Sequence, residues 1–352
     1  MTEQASNGAA TRRTPTAVAD VTKVMKVKTA PAPPVPRSRG ARPRSRRSAR
    51  RGRVVAALAV LTTLLMLLHG WIPNRFANAG SFVQTFLPWT GAAVVLLLAA
   101  ALLRRSRVAL TAVLLPALSW AALHGGTFLD RGAGGAADLT VVTHNVDDVN
   151  PDPAGTARAL AASGAQLIAL EELTGPAVRQ YERTLAATHP YHVVEGTVGL
   201  WSTYPLRDTA PVAIMPWTRA LRATADTPAG PLTVYVAHLP SVRVRPDSGF
   251  TTERRNAAAG RLADELAAAP AGRTLLVGDF NGTTDDRALA PVTGRFRSAH
   301  DAAGAGFGFT WPETFPVARI DQILVRELTP VSAWTLPATA SDHLPVAASL
   351  RF

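Results

Sequence analysis

The sequence predicts a mixed α/β or α+β domain standing behind an all-α membrane anchor of three helices. Two observations predict it. Three nearly uncharged apolar stretches lie between residues 54 and 124, and from Asp138 short apolar runs alternate with alanine-rich helical stretches over about 215 residues. A third observation, that polar residues recur where the short runs stop, points to a site on one rim of a sheet.

At 352 residues the chain is long enough for one large domain plus appendages. Cysteine is absent, which excludes a disulfide framework, a thiolate nucleophile and a thiolate metal site. The net charge of +12 would suggest a nucleic-acid partner, but it is unevenly placed. Residues 1–53 carry fourteen Lys/Arg against Glu3 and Asp20, whereas residues 130–352 carry 19 basic and 23 acidic side chains. The global charge therefore says nothing about the substrate. Residues 1–53 are rich in Pro, Ser, Ala and Arg without apolar periodicity, and Thr29 to Pro36 favours polyproline conformations. They read as a disordered basic cytoplasmic tail. Its end, Arg37 to Arg53, directly precedes an apolar segment and reads as a partner of anionic lipid head groups.

The apolar segments at 54–72, 82–103 and 108–124 read as three transmembrane helices, the third shorter than the second and interrupted by Pro116. Trp71, Trp89 and Trp120 fall near the expected interfaces. The basic tail and the tight Arg104–Arg107 loop belong on the same, cytoplasmic side. That places a glycine-rich linker at 125–137 and the domain at 138–352 outside the cytoplasm, in a multi-pass protein of the cell membrane.

Within the domain, Leu139–Thr143, Leu167–Leu170, His192–Val194, Gly199–Ser202, Ala220–Ala225, Leu232–Ala237, Ile320–Val325 and Val346–Phe352 read as strands. Thr156–Ser163, Pro176–Ala187 and Thr251–Ala269 read as helices. The stretch Leu275 to Asn281 is central: Thr274–Val277 is a buried-looking strand, Gly278 is expected to end it, and Asp279 and Asn281 follow two apart. Strand ends elsewhere carry Asn145, Asp147, Glu172, His238, Asp321, Asp342 and His343. Oxygen ligands without thiolates suit a hard cation, Mg²⁺ or Mn²⁺, and histidines supply donors or an acid/base group near neutral pH. Taken singly, each of these residues is ordinary turn or surface punctuation. Trp311 reads as loop packing, and Arg254 and Arg255 as a solvated helix face.

Six ordered motifs change that weighting. Thr-His-Asn-Val-Asp at 143–147, Ala-Leu-Glu-Glu-Leu at 169–173, Ala-His-Leu at 237–239, Gly-Asp-Phe-Asn at 278–281, Arg-Ile-Asp-Gln-Ile-Leu at 319–324 and Ser-Asp-His-Leu-Pro-Val at 341–346 resemble the endonuclease/exonuclease/phosphatase superfamily. That superfamily includes deoxyribonuclease I, apurinic endonucleases, neutral sphingomyelinases and inositol-polyphosphate phosphatases. The resemblance spans Asp138 to Phe352 and implies a four-layered sandwich, two packed mixed sheets flanked by helices. It also implies metal-dependent hydrolysis of phosphodiester or phosphomonoester bonds. Residue by residue, it implies Glu172 as principal metal ligand, with Asn145, Asp147 and Asp342 as further metal or phosphate contacts. Asp279 would align or deprotonate the attacking water, with Asn281 holding it. His343 would contact phosphoryl oxygens or act as base, its ring oriented by Asp321, and His238 would stabilise phosphoryl charge.

Three positions depart from the pattern: Glu171 where the family often has Gln, His144 where an aromatic residue is common, and Thr203 in place of a basic residue. The substrate stays open between phospholipid, nucleic acid and small phosphoesters. The reading is a membrane-anchored phosphoesterase, with an outward-facing nuclease as alternative and a non-catalytic binding module of the same fold as an alternative of another class.

Overall fold

Alternate residues of a strand face opposite ways, and the central strands of this chain are apolar on both faces. Two sheets with helices outside them follow from that pattern. The computed structural model describes residues 45–129, 131–132 and 134–352, with side chains from residue 52 onward. The chain opens with α1 (Ser45–Leu68), α2 (Ala79–Thr85), α3 (Thr90–Leu103) and α4 (Arg107–His124). The domain then runs β1 (Leu139–Asn145), α5 (Pro153–Ala161), β2 (Leu167–Glu171), α6 (Gly175–Leu185), β3 (Tyr191–Glu195), β4 (Val198–Ser202), β5 (Leu206–Pro211), β6 (Ala220–Thr227) and β7 (Gly230–Ala237). It continues through β8 (Val244–Arg245), β9 (Gly249–Phe250), α7 (Glu253–Ala268), β10 (Thr274–Asp279), α8 (Ala290–Thr293) and β11 (Arg297–Ser298). It closes with α9 (Ala299–Ala303), β12 (Asp321–Arg326), β13 (Thr329–Thr335) and β14 (Val346–Arg351).

One sheet has the order β13-β14-β1-β2-β4-β3 and the other β11-β12-β10-β7-β6-β5. Each is mixed: β1 runs parallel to β2 and β10 parallel to β7, with antiparallel neighbours outside them. Val141, Leu167, Leu200, Val234, Leu275 and Ile323 fill the space between the sheets. Val142 and Ile168 turn outward to meet Leu160 of α5 and Leu185 of α6, while Tyr235 and Leu276 turn outward to meet Leu262 and Leu266 of α7. The expected four-layered sandwich is thus present.

Four expectations need adjustment. The tail at 1–53 lies outside the described residues as far as 44, but α1 begins at Ser45 and not at Val54. A helix nucleated on the apolar run extends back through Arg, Ala and Ser at little cost. The second apolar segment is not one helix: α2 and the helical stretch from Leu87 meet at a 67° bend. Pro88 lacks an N–H and restricts Leu87 before it, which breaks the ladder there. Gly52–Trp71 and Arg107–Phe128 are each long and apolar enough to cross a membrane, and the bent pair makes a third if counted as one span. The linker expected at 125–137 begins as a short 3-10 turn, Gly125–Phe128. Finally, Gly278 does not end its strand: β10 continues to Asp279. Its φ of +134° and an Ala237 carbonyl 2.1 Å from where a Cβ would stand are the reasons glycine is needed. That close approach sets His238 beside Asp279.

Candidate active site

Parallel pairing of β1 with β2 and of β10 with β7 sends four strand ends to one rim, carrying Asn145, Glu172, Asp279 and the His238 that follows β7. The backbone there departs from ordinary geometry. Asp147, Glu172 and Asn281 all have positive φ, of 65°, 61° and 47°. Such residues cost of order 1–3 kcal/mol each and persist where surrounding structure holds a functional group in place.

Asp279 is buried and accepts from three N–H donors: the Asn281 backbone at 2.8 Å, the Asn281 amide at 3.0 Å and the Asn145 amide at 3.1 Å. Burial pushes its carboxyl up to about 7, with His343 opposing and Asp321 adding to the rise. His343 receives a different balance. Burial lowers its pKa, but the Asp321 carboxylate 2.9 Å from Nδ1, together with Asp279 and Asp342, outweighs this and pushes it up to about 10. Its free Nε2 lies 4.0 Å from Asp279 and 3.9 Å from Asp342. Ser341 fixes the ring's backbone, donating to Asn145 O at 2.6 Å and accepting from His343 N at 3.1 Å.

His238 is fully buried, 3.5 Å from both Glu172 and Asp279, with the Arg219 guanidinium against its ring nitrogens. Burial, Arg219 and His343 all hold its pKa well below the usual histidine value, so it is neutral. Glu172 is raised by burial, which Asn145, His343 and Arg219 resist. Asp147, Asp148 and Glu172 each place a carboxylate oxygen within 4.8 Å of the others, and Asp279, Asp321 and His343 form a second such group. The first group is open to the cleft and offers only oxygens, which fits a hard divalent cation. The second is buried and already hydrogen-bonded.

Seven of the nine expected residues, Asn145, Asp147, Glu172, Asp279, Asn281, Asp342 and His343, line a single cleft of about 370 Å³. His238 and Asp321 are buried behind it. Asp342 stands apart from the Asp147–Asp148–Glu172 group, accepting from Trp311 Nε1 at 3.1 Å. Trp311 therefore faces the site rather than serving as loop packing. Arg254 is exposed as expected, but Arg255 is fully buried, bonded to Asp286 at 2.6 Å and to Asn281 O at 3.3 Å. Asp148 and Arg219 are further residues of the site. Asp148 directly follows Asp147, and Arg219 stands opposite His238 once β6 and β7 pair with Ala220 against Ala237.

Two of the three departures also find their reasons. Glu171 is fully buried, accepts from Thr143 at 2.9 Å, and is held well above the carboxylate range by burial, so it is neutral like a glutamine. His144 is pushed down to about 3 by burial and packs as an uncharged ring held by Thr339 at 2.9 Å.

The sequence model of the Endonuclease/Exonuclease/phosphatase family matches residues 142–343, the span that holds all of these groups. The structure of D. rerio TDP2 complexed with single strand DNA product is similar at 18% identity and TM-score 0.51, covering 61% of this chain and 99% of that one. A functionally unknown conserved protein from Enterococcus faecalis V583 is similar at 17% identity and TM-score 0.50, covering 60% and 99%. The endonuclease/exonuclease/phosphatase from Bacteroides vulgatus is similar at 16% identity and TM-score 0.50, covering 62% and 100%. No curated protein matches. Fold, rim and family match define a hydrolase of phosphate esters. The chain belongs to the Endonuclease/Exonuclease/phosphatase family.

Proposed function

We propose that the chain is a membrane-anchored phosphoesterase using Mg²⁺ or Mn²⁺. It hydrolyses phosphodiester or phosphomonoester bonds by in-line attack of water. The observation that carries this is the meeting of Asp279, Asn281 and His343 with Asp147 and Glu172 in one cleft, an Asp148 carboxylate oxygen lying within 4.8 Å of those of the latter two. Held by those carboxylates, with Asn145 beside them, a divalent ion would supply positive charge to phosphoryl oxygens. Asp279, raised to about 7, is tuned to take the proton of the attacking water, and Asn281, its amide N–H groups given to Asp279 and Leu239 O, offers its side-chain oxygen to orient that water. The water oxygen bonds to phosphorus as the ester oxygen leaves with its bonding pair and takes a proton from solvent. His343 is a cation at neutral pH with Nδ1 committed to Asp321, so its Nε2 donates to a phosphoryl oxygen and is not the base. Neutral His238 and cationic Arg219 add donors behind Glu172.

Asp279→Asn and His343→Ala should each lower metal-dependent turnover of bis(p-nitrophenyl) phosphate at least ~10²-fold. Near-normal turnover by either variant would refute these roles. If calorimetry detects no binding of Mg²⁺ or Mn²⁺, the non-catalytic binding module becomes the reading.

An extracytoplasmic catalytic domain is supported by the helix directions. The Trp71 end of α1, the Trp89 end of α3 and the Phe128 end of α4 touch the domain, leaving the Arg104–Arg107 turn at the opposite end beside Gly52. A reporter fused after Phe352 that works only in the cytoplasm would overturn that orientation. A nuclease is the second reading, favoured by a groove of about 480 Å³ that holds Arg219, Arg243, Arg245 and Arg254.

A further inference from the structure

The catalytic cleft has a wall that the catalytic domain does not supply. Thr85 and Phe86, at the bend of the second apolar segment, line it together with Asn145, Glu172 and Asp279. The bend is fastened to the domain from several sides. The buried Ser81 hydroxyl donates to Asp286 at 2.9 Å, Asn78 donates to Glu253 at 2.7 Å, and Gln84 accepts from the Arg287 N–H at 3.0 Å. Phe82 meets Phe250 edge-on at 5.6 Å. Trp89 donates to Val317 O at 2.9 Å and stacks on Phe309 at 6.1 Å.

Next to Trp89 lies an apolar groove of about 450 Å³ between α3, α4 and the domain, lined by Val94, Val95, Trp120, Phe307 and Phe309. Trp120 closes one side, donating to Pro88 O at 3.0 Å. These tryptophans mark the domain-facing ends of membrane-crossing helices, the depth at which aromatic belts and lipid head groups sit. A cleft walled by the end of a span opens at that depth. Trp89 on the groove donates its backbone N–H to O of Phe86 on the cleft at 3.0 Å, so a lipid whose phosphate enters the cleft from the bilayer has an apolar groove within one helical turn for its hydrocarbon chain. A water-soluble phosphoester has no use for such a groove.

We propose that the substrate is a phosphoester carried on a membrane lipid, its phosphate in the cleft and its chain in the groove between α3, α4 and Phe307–Phe309. This rests on the phosphoesterase reading above. The test uses the full chain in vesicles of digalactosyldiacylglycerol, a lipid without phosphorus, with Mg²⁺. Dioleoyl phosphatidic acid and dioleoyl phosphatidylglycerol are compared with glycerol phosphate, glycerophosphoglycerol, bis(p-nitrophenyl) phosphate and single-stranded DNA. At least one chain-bearing substrate should exceed its chainless head group by about 10²-fold or more in kcat/KM, because anchor and substrate share one bilayer. Val95→Trp, which fills the groove from an exposed position, should lower the ratio of lipid to soluble-diester turnover by about tenfold or more. Equal turnover with and without chains, or an unchanged ratio in Val95→Trp, overturns the lipid assignment and leaves the phosphoesterase standing. Faster cleavage of DNA overturns it in favour of a nuclease. No hydrolysis of any substrate overturns the proposed function and this inference with it.

Discussion

Glu171 shows how a residue that breaks its family's pattern can still obey the physics behind it. A carboxyl in full burial, with one oxygen unpartnered and Thr143 on the other, stays protonated and presents a glutamine-like surface. Glu171→Gln should therefore keep turnover within a few-fold of the parent, whereas Glu171→Lys should lose the folded state in a thermal melt. His189 is likewise held in its neutral form, but its pKa moves down instead of up. It is buried, its Nε2 bonds the Ala165 carbonyl at 2.9 Å, and burial keeps its pKa below 6.5 despite that carbonyl. A depressed histidine pKa means the unfolded chain binds the proton more readily, so the stability it contributes is full above pH 6.5 and falls as pH drops below it. Melting temperatures between pH 7.5 and 5 should fall less steeply in His189→Gln than in the parent. Seven cleft-lining residues were legible in the sequence because each follows a buried run and belongs to a motif. Arg219 was not, since its role appears only through cross-strand pairing with the residue after β7. Thr85 and Phe86 were hidden inside what read as a membrane helix.

Among elements, the sheet centres were legible, whereas of the four edge strands only β3 was, and β5, β11 and β13 were not. β1, β2, β10, β12 and β14 are apolar runs buried along nearly their whole length. β5 escaped notice because Arg207, Asp208 and Thr209 are exposed on a sheet edge, where nothing demands apolar side chains. α7 is legible from its periodicity, but the burial of its Arg255 is not. Helical periodicity marks a face, and it cannot show that Asp286, on a later loop, waits to neutralise a buried guanidinium. That pair ties α7 to the turn after β10 through Asn281 O and to α2 through Ser81. Removing one member leaves an uncompensated buried charge. Asp286→Ala should cost about 3–5 kcal/mol in denaturant unfolding, and the double replacement Asp286→Leu with Arg255→Met should cost clearly less.

At the scale of the molecule, the N-terminal helices and the domain share buried groups. Asp286 accepts from both Ser81 and Arg255, and Phe250 packs on Phe82 and Phe86. Residues 130–352 expressed alone should melt at a lower temperature than the full chain in detergent, with weaker turnover of bis(p-nitrophenyl) phosphate. Both deficits should lessen when a peptide spanning 72–90 is added. Chelation of divalent ions should abolish turnover in either form and leave the helical circular dichroism of the full chain in place. The wall contributed by Thr85 and Phe86 then has a consequence for how such an enzyme is controlled in a cell. Proteolytic cutting after Phe128 would release a hydrolase missing part of its own cleft, so cleavage would damp the chemistry instead of spreading it.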